Sequence, residues 1–446
     1  MKVCLDAIRP CFEGAVPSML ATCDTDGVPN VTYVSQVHYV DPGHVALTFQ
    51  FFNKTRENIL ANPQATLFLI HPETSARYRL ALLYRRTEGE GALFETMKAK
   101  LAAIASHTGM SGVFRLQGSD VYQVLDVEHV PGVEAAPKPV TQRSRMTAVR
   151  ALVPRIVGST DLATLLERTL SGLEAELGIG HAMVLYADAG RLYTVASRGY
   201  PQSGVGSEFP LGRGVIGVAA QHRTPIRIAH MTTEYAYGRA IREHIAGAGM
   251  DDLLETAIPF PGLPEPHSQL AVPIVAANRL LGVLHVESPE PQRFSWEDED
   301  ALVAIAALLG EAALALQHAA DQDDDVRPGA VKPAVSGAPL VVRHYAQNDS
   351  VFLGEDYLIK GVAGAILWRL LNLYVQEQRT EFSNRELRLD RSLRLPDVDD
   401  NLEARLILLQ KRLAERDSAL GIEKTGRGRF RLAVRRPLLL QDADAR

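Results

Sequence analysis

A strong basic bias in this 446-residue sequence lies near its end. Within Gly421–Arg436 stand Lys424, Arg427, Arg429, Arg431, Arg435 and Arg436, opposed only by Glu423. Clustered cations on an otherwise acidic chain suit a polyanion, although a solvated charged edge has the same composition. A second concentration, Thr232–His267, gathers Tyr235, Tyr237, Arg239, Arg242, His244, Glu255 and His267. These supply donors, acceptors and stacking surfaces for a planar or anionic ligand. No nucleophile, base and orienting group stand in a recognisable arrangement, and neither a phosphate-binding glycine loop nor a dinucleotide fingerprint is present, so no catalytic residue is assigned. Cys4, Cys11 and Cys23 are odd in number and lack zinc spacing; they read as free thiols, with no metal site. His38, His44 and His107 read as packed or solvated histidines.

The net charge of -6 is unevenly spread. From Ala338 onward 19 Lys and Arg face 16 Asp and Glu, against 28 and 37 over residues 1–337. The basic character is therefore confined to the end of the chain. Met1–Phe12 lacks the pattern of a secretory signal, and the longest apolar run, Ala301–Leu316, is interrupted by Gly310 and Glu311. A cytoplasmic protein with no membrane contact is expected.

Two stretches poor in apolar residues and rich in Pro or Gly, Val130–Pro139 and Asp321–Pro339, divide the chain into three. The first segment carries short β-type runs at Ser18–Thr22, Asn30–Val40, Val45–Phe52 and Ala65–Ile70. Helices are expected at Thr55–Ala61 and Gly91–Ser106, and a strand pair at Gly112–Glu128, which favours a small barrel. In the middle segment Leu162, Leu165, Leu166, Leu170, Leu173 and Leu177 recur at helical spacing behind Asp161, a candidate N-cap. Strands follow at His181–Ala187, Arg191–Arg198, Pro225–Ala229, Gln269–Ala276 and Arg279–Ser288, then an apolar helix Trp296–Gln317; this order describes a sheet covered by helices. The last segment reads as strands near Leu340–Tyr345 and Tyr357–Lys360, helices at Val362–Gln376, near Asn384 and at Asp399–Arg416, and a basic hairpin turning at Gly426-Arg427-Gly428. Three helices followed by a hairpin is a winged-helix layout.

Residues 14–130 resemble the pyridoxamine-phosphate-oxidase-like, FMN-binding split barrels through VPSMLATCDTDGVPNVTYVS and LTFQFFNKTRENILANPQATLFL. By position, the resemblance implies that Asn53, Lys54 and Thr55, with Arg56 and Asn58 nearby, hold the phosphate of FMN. A cation, hydroxyl and amide donors and a helix N-terminus suit a dianionic phosphate. An Asn-Lys-Thr-Arg helix start with no ligand is the alternative. Nothing matches the vitamin-substrate residues of the true oxidases, so that activity is not inherited with the fold.

Residues 145–320 resemble a GAF domain, a PAS-related α/β sensor, through TVASRGYPQSGVGSEFPLGRGVIGVAAQHRTPIRIAHM, QLAVPIVAANRLLGVLHVES and FSWEDEDALVAIAALLGEAALAL. The resemblance places a small-molecule ligand under the loop of about residues 232–267, against Tyr235, Tyr237, Arg239, Arg242, His244 and His267. No cysteine in this segment is present to tether a bilin.

Residues 340–437 resemble the OmpR-like winged helix through VDDNLEARLILLQKRLAER and IEKTGRGRFRL. The resemblance implies binding of double-stranded DNA, with Arg405, Arg412 and Arg416 along the recognition helix and Lys424, Arg427 and Arg429 on the wing. Ile407 and Leu408 are apolar where base readout favours polar groups, and a winged helix that binds protein or another subunit is the alternative.

The resulting expectation is a multi-domain chain: a split barrel (1–132), a GAF sensor (145–320), a linker (321–339) and a winged helix-turn-helix (340–437). It would act as a homodimeric, cytoplasmic transcriptional regulator. A flavin-dependent oxidoreductase with the other two units as regulatory appendages is the rival reading.

Overall fold

The structure, a computed structural model, describes residues 3–12, 16, 18–34, 37–49, 53–107, 116–136, 144–188, 190–228, 258–322, 336–393, 402–416 and 419–443. Of the ligand-loop residues expected from the sequence, Tyr235, Tyr237, Arg239, Arg242 and His244 lie outside this set.

Alternating apolar and polar residues fold the first segment into one antiparallel seven-stranded sheet. Its strands are β1 (Ser18–Cys23), β2 (Pro29–Val34), β3 (Val37–Asp41), β4 (His44–Phe49), β5 (Gln64–Ile70), β6 (Arg77–Glu88) and β7 (Gly118–Val130), ordered β2-β1-β5-β6-β7-β4-β3. Leu20, Leu47, Leu67, Leu69, Leu80, Leu82 and Tyr122 fill one core. The stretch Asn30–Val40, expected as one strand, is two strands at opposite edges of the sheet. The 12-residue β6 has no counterpart in the sequence reading. Its arginines at 77, 79, 85 and 86 obscure the apolar alternation that Leu80 and Leu82 carry into the core. Helix α1 (Lys54–Ala61) follows β4, and α2 (Ala92–His107) separates β6 from β7.

The middle segment opens with α3 (Arg145–Val157) and α4 (Leu162–Leu177). The expected cap is present: the Asp161 carboxylate accepts from Thr164 N–H at 2.9 Å. The helix ends on Gly178, whose φ of 64° is the left-handed turn that glycine adopts without cost. A six-stranded sheet follows, ordered β10-β9-β8-β13-β12-β11. Its strands are β8 (His181–Asp188), β9 (Arg191–Arg198), β10 (Glu208–Pro210), β11 (Ile226–Ile228), β12 (Ser268–Ala276) and β13 (Arg279–Ser288). Ala277 and Asn278, at φ 46° and 59°, make the tight β12–β13 turn with both central residues left-handed, the twist a hairpin needs.

All six leucines of the α4 stripe are buried beneath this sheet, together with one face of α6 (Trp296–Gln322): Ala301, Leu302, Ile305 and Leu309. On length and apolarity alone α6 could cross a membrane; one face of it, Ala301, Leu302, Ile305 and Leu309, is buried in this core. The opposite sheet face is covered by α5 (Gly214–His222) and by α2 of the first segment, whose Ala99 joins the same cluster.

The last segment has a four-stranded sheet ordered β16-β15-β14-β20, made of β14 (Leu340–Tyr345), β15 (Ser350–Leu353), β16 (Asp356–Ile359) and β20 (Leu438–Asp442). Between them run α7 (Gly361–Glu377), β17 (Glu381–Ser383), α8 (Asn384–Leu389) and α9 (Leu402–Arg416), then the hairpin β18 (Leu420–Gly426) and β19 (Arg429–Val434). Leu402, Leu409 and Leu413 of α9 enter a core with Ile366, Leu367, Leu370 and Leu432. Strand β20, pairing parallel with β14, ties the end of the chain back to the start of this segment.

Candidate functional site

Asn53 caps α1: its side-chain oxygen accepts from Arg56 N–H at 3.1 Å. The cap turns the helix start toward a cleft of about 170 Å³ whose wall includes Thr32, Thr48, Asn53, Thr55, Arg56 and Asp120. Thr55 Oγ1 accepts from the Asn30 amide at 2.8 Å. Arg56 lies over the Phe49 ring at 4.4 Å and donates to Asp120 at 2.5 Å and to Thr87 Oγ1 at 2.8 Å. Burial raises the Asp120 carboxyl above its ordinary range, against the pull of Thr87 and Arg56.

Two of the five sequence candidates stand apart from this wall. Lys54 is half-exposed and reaches Asp24 at 3.1 Å. Asn58 is buried, donates to Thr22 at 3.3 Å and does not line this cleft. Asp120 and Thr87 escaped the sequence reading because they join Arg56 only when β6 and β7 pair, more than 30 residues downstream of it.

In the middle segment His267 is exposed, and its backbone N–H donates to Ser288 O at 2.8 Å. A polar group that the sequence reading missed sits deeper. Glu287 and His285 are 3% and 2% exposed on the apolar β13. Glu287 accepts from Leu263 N–H at 2.7 Å and from Gln269 at 3.3 Å, and His285 Nε2 lies 3.8 Å away. Burial works to raise the Glu287 carboxyl, but these neighbours hold it below the usual range. The only signal in the sequence is the polar pair His285 and Glu287 alternating within VLHVES.

Helix α9 departs most from expectation. Arg405 and Arg412 are 5% and 4% exposed, so the stripe expected to face DNA is turned inward. Arg405 Nη2 meets both carboxylate oxygens of Asp188, at the end of β8, at 2.7 Å. Arg412 donates to Leu358 O at 3.1 Å and pairs with Glu415 at 3.2 Å; burial pulls its guanidinium below its ordinary value. Lys411 donates to Val195 O at 3.0 Å, and Ser203 bonds Glu415 at 2.5 Å. Ala404 and Ile407 lie in the same buried cluster as α4 and α6. The helix therefore has two apolar faces, one for its own segment and one for the middle segment. Arg416 is exposed, as are Lys424 and Arg427 at the hairpin, whereas Arg429 is half-buried. Lys424 stands 3.7 Å from Asp161.

The sequence matches the family "Pyridoxamine 5'-phosphate oxidase" over residues 5–125 and the family "GAF domain" over residues 159–313. The chain thus carries a pyridoxamine-phosphate-oxidase-like split-barrel domain at its N-terminus and a GAF domain in its middle. Among solved structures, it is similar to the GAF domain of an Acinetobacter phosphoenolpyruvate-protein phosphotransferase, with 23% identity over 41% of this chain and 100% of that one, and a TM-score of 0.31. It is also similar to an FMN-binding protein from Syntrophomonas wolfei, with 15% identity over 29% of this chain and 87% of that one, TM-score 0.25. A third is the fRMsr of Staphylococcus aureus in its reduced form, with 17% identity over 40% and 99% of the respective chains, TM-score 0.30. No curated protein matches the chain.

Proposed function

We propose that this chain is a cytoplasmic sensory regulator in which a flavin-type barrel and a GAF domain control a winged-helix output. The observation that carries the reading is the seating of α9 on the GAF domain, with Arg405 bound to Asp188 and Ala404 and Ile407 inside the GAF core. A helix that completes one domain while filling the core of another transmits any change in the second to the first. The order of four-stranded sheet, three helices and basic hairpin in residues 340–442 supports the winged-helix reading, and the exposed Arg416, Lys424 and Arg427 are the cations left to meet DNA phosphates in this arrangement. Arg405 would join them only after α9 leaves the GAF domain. This is the DNA-excluded state of a regulator, and a small molecule in the GAF domain would shift its population.

FMN fits the barrel cleft. Thr55 and Asn53 stand at the start of α1, where the first backbone N–H groups precede the intrahelical ladder, and the buried Arg56 Nε has no hydrogen-bond partner among the described residues. Lys54, released from Asp24, would add a cation. A bound flavin would supply redox chemistry to the barrel; the residues' part is to hold its phosphate. Val31 and Tyr33 on edge strand β2, 64% and 77% exposed beside this cleft, support a second copy of the chain as its cover.

The same cleft favours the rival reading, a flavin-dependent oxidoreductase. An absorbance spectrum of the purified chain, taken with a DNA-retention assay and a nicotinamide-oxidation assay, separates the two. Retention of genomic fragments by the chain or by its Asp188→Ala variant, without turnover, supports the regulator, and catalytic consumption of reduced nicotinamide with no retention by either overturns it.

A further inference from the structure

A second cleft, of about 100 Å³, lies where the barrel meets the GAF domain. Five elements bring charged and aromatic groups to it: Arg9 from the 3-10 helix Leu5–Phe12, His38 and Tyr39 from β3, Lys100 from α2, Arg227 from β11 and Trp296 from α6. The Arg9 guanidinium is stacked 4.2 Å over Tyr39 and 4.0 Å over Trp296, which fixes its plane. Arg227 binds Glu299 at 2.8 Å. Asp6 bonds the Tyr39 hydroxyl at 2.6 Å and is exposed. Among the described residues no carboxylate lies within ion-pair distance of Arg9 or Lys100.

The charge balance points to an anion. Among the described residues three cations, Arg9, Lys100 and Arg227, line the cleft, with Arg227 paired to Glu299, and burial, aided by Lys100, holds the His38 pKa at about 4. Glu299 itself, although burial works to raise it, is held below the ordinary carboxylate range by Lys100 and Arg227. Arg9 and Lys100, with no carboxylate within ion-pair distance among the described residues, repel each other in this half-buried cleft, and an entering counter-ion relieves that repulsion. The cavity has room for several waters, since a single water needs only about 10 to 15 Å³, and so for a phosphate-sized anion. Its other lining group, Thr48, offers a hydroxyl.

We propose that this cleft binds a small dianion of the phosphate class, through Arg9, Lys100 and Arg227. Because Arg9 and Lys100 come from the barrel segment and Arg227 from the GAF domain, the bound anion fastens one to the other. The dianion is either free phosphate or the phosphate end of a small monoester whose remainder extends through the open mouth. The site adjoins the α1 cleft, with which it shares Thr48, but none of its three cations lines that cleft, and its test does not depend on flavin or DNA binding.

Calorimetric titration at constant ionic strength tests it, in a chain carrying Lys54→Ala and Thr55→Ala so that the α1 cleft does not compete. The probes are inorganic phosphate and glycerol phosphate. One saturable site is expected for at least one of them. Lys100→Met should weaken it at least about tenfold, the low end of one charge-assisted contact, while Lys98→Met, two residues earlier on another face of α2 and paired with Glu95, leaves it unchanged. Tighter binding of glycerol phosphate assigns the monoester, and equal or weaker binding assigns free phosphate. Absence of saturable heat with both probes overturns the proposal, as does equal affinity in a Lys100→Met chain that keeps the parent melting temperature.

Discussion

Replacing Asp188 with alanine should release α9 from the GAF domain. Arg405 is 5% exposed, and Asp188 supplies both of its 2.7 Å contacts, so the substitution leaves a buried guanidinium without its carboxylate. Removing one partner of a buried pair costs about 3 to 5 kcal/mol while the other stays buried. Detaching the helix avoids that cost by exposing Ala404 and Ile407, and a fully buried isoleucine contributes about 1.5 to 3 kcal/mol. Detachment also breaks the Lys411–Val195 and Ser203–Glu415 contacts, so the substitution moves the balance toward detachment by the cost of the unpaired guanidinium. A shift of about 3 kcal/mol multiplies the released population roughly a hundredfold. Arginine-selective dicarbonyl labelling read by peptide mass spectrometry reports it directly: Arg405, buried in the wild type, should approach the reactivity of exposed Arg416 in the variant. If Arg405 remains as protected as before while the melting temperature falls, the pair is a structural fastening and the release argument fails.

The Lys54→Ala, Thr55→Ala double variant should lose FMN uptake by about two orders of magnitude while remaining folded, since charge-assisted phosphate contacts contribute about 1.5 to 3 kcal/mol each; reconstitution with excess FMN and fluorescence quenching measure it. His38 sets a pH dependence. Its folded pKa of about 4 lies below the unfolded value of about 6.5, so the unfolded chain binds more protons between them, and stability falls as pH drops from about 6.5 toward 4. The groups that face it are Lys100, Arg9 and Glu299, and the Glu299 carboxyl is held below its ordinary range. Thermal melts of His38→Gln against wild type should show a shallower acid limb in the variant; superimposable limbs would count against a buried neutral His38.

Local signals were legible wherever one segment decides its own structure. The leucine stripe of α4, its Asp161 cap and the Ala277-Asn278 turn are each set by neighbours in sequence. The same holds for Asn53 as the start of α1. What the sequence did not disclose depends on partners far along the chain. Arg405 reads as a surface residue until Asp188, 217 positions away, is brought against it. Ile407 and Leu408 were the hint: apolar residues on a face left to solvent or nucleic acid have no reason to be apolar, and the GAF core supplies one for Ile407. Strand β6 was hidden by its arginines, and with it the Arg56, Thr87 and Asp120 group.

The central claim, that the GAF domain withholds a DNA-binding helix, is tested most directly by DNA affinity of the full chain across a salt series. Wild type and Asp188→Ala are titrated against a pool of genomic fragments from 50 to 200 mM salt, with Arg427→Ala and Arg429→Ala added to the second. The account predicts tighter binding by Asp188→Ala than by wild type. Loss of the two hairpin arginines should flatten its salt slope by close to two phosphate contacts, each contributing about -0.9. No retention of DNA by Asp188→Ala at 50 mM salt, where even non-specific binding should register, would contradict it.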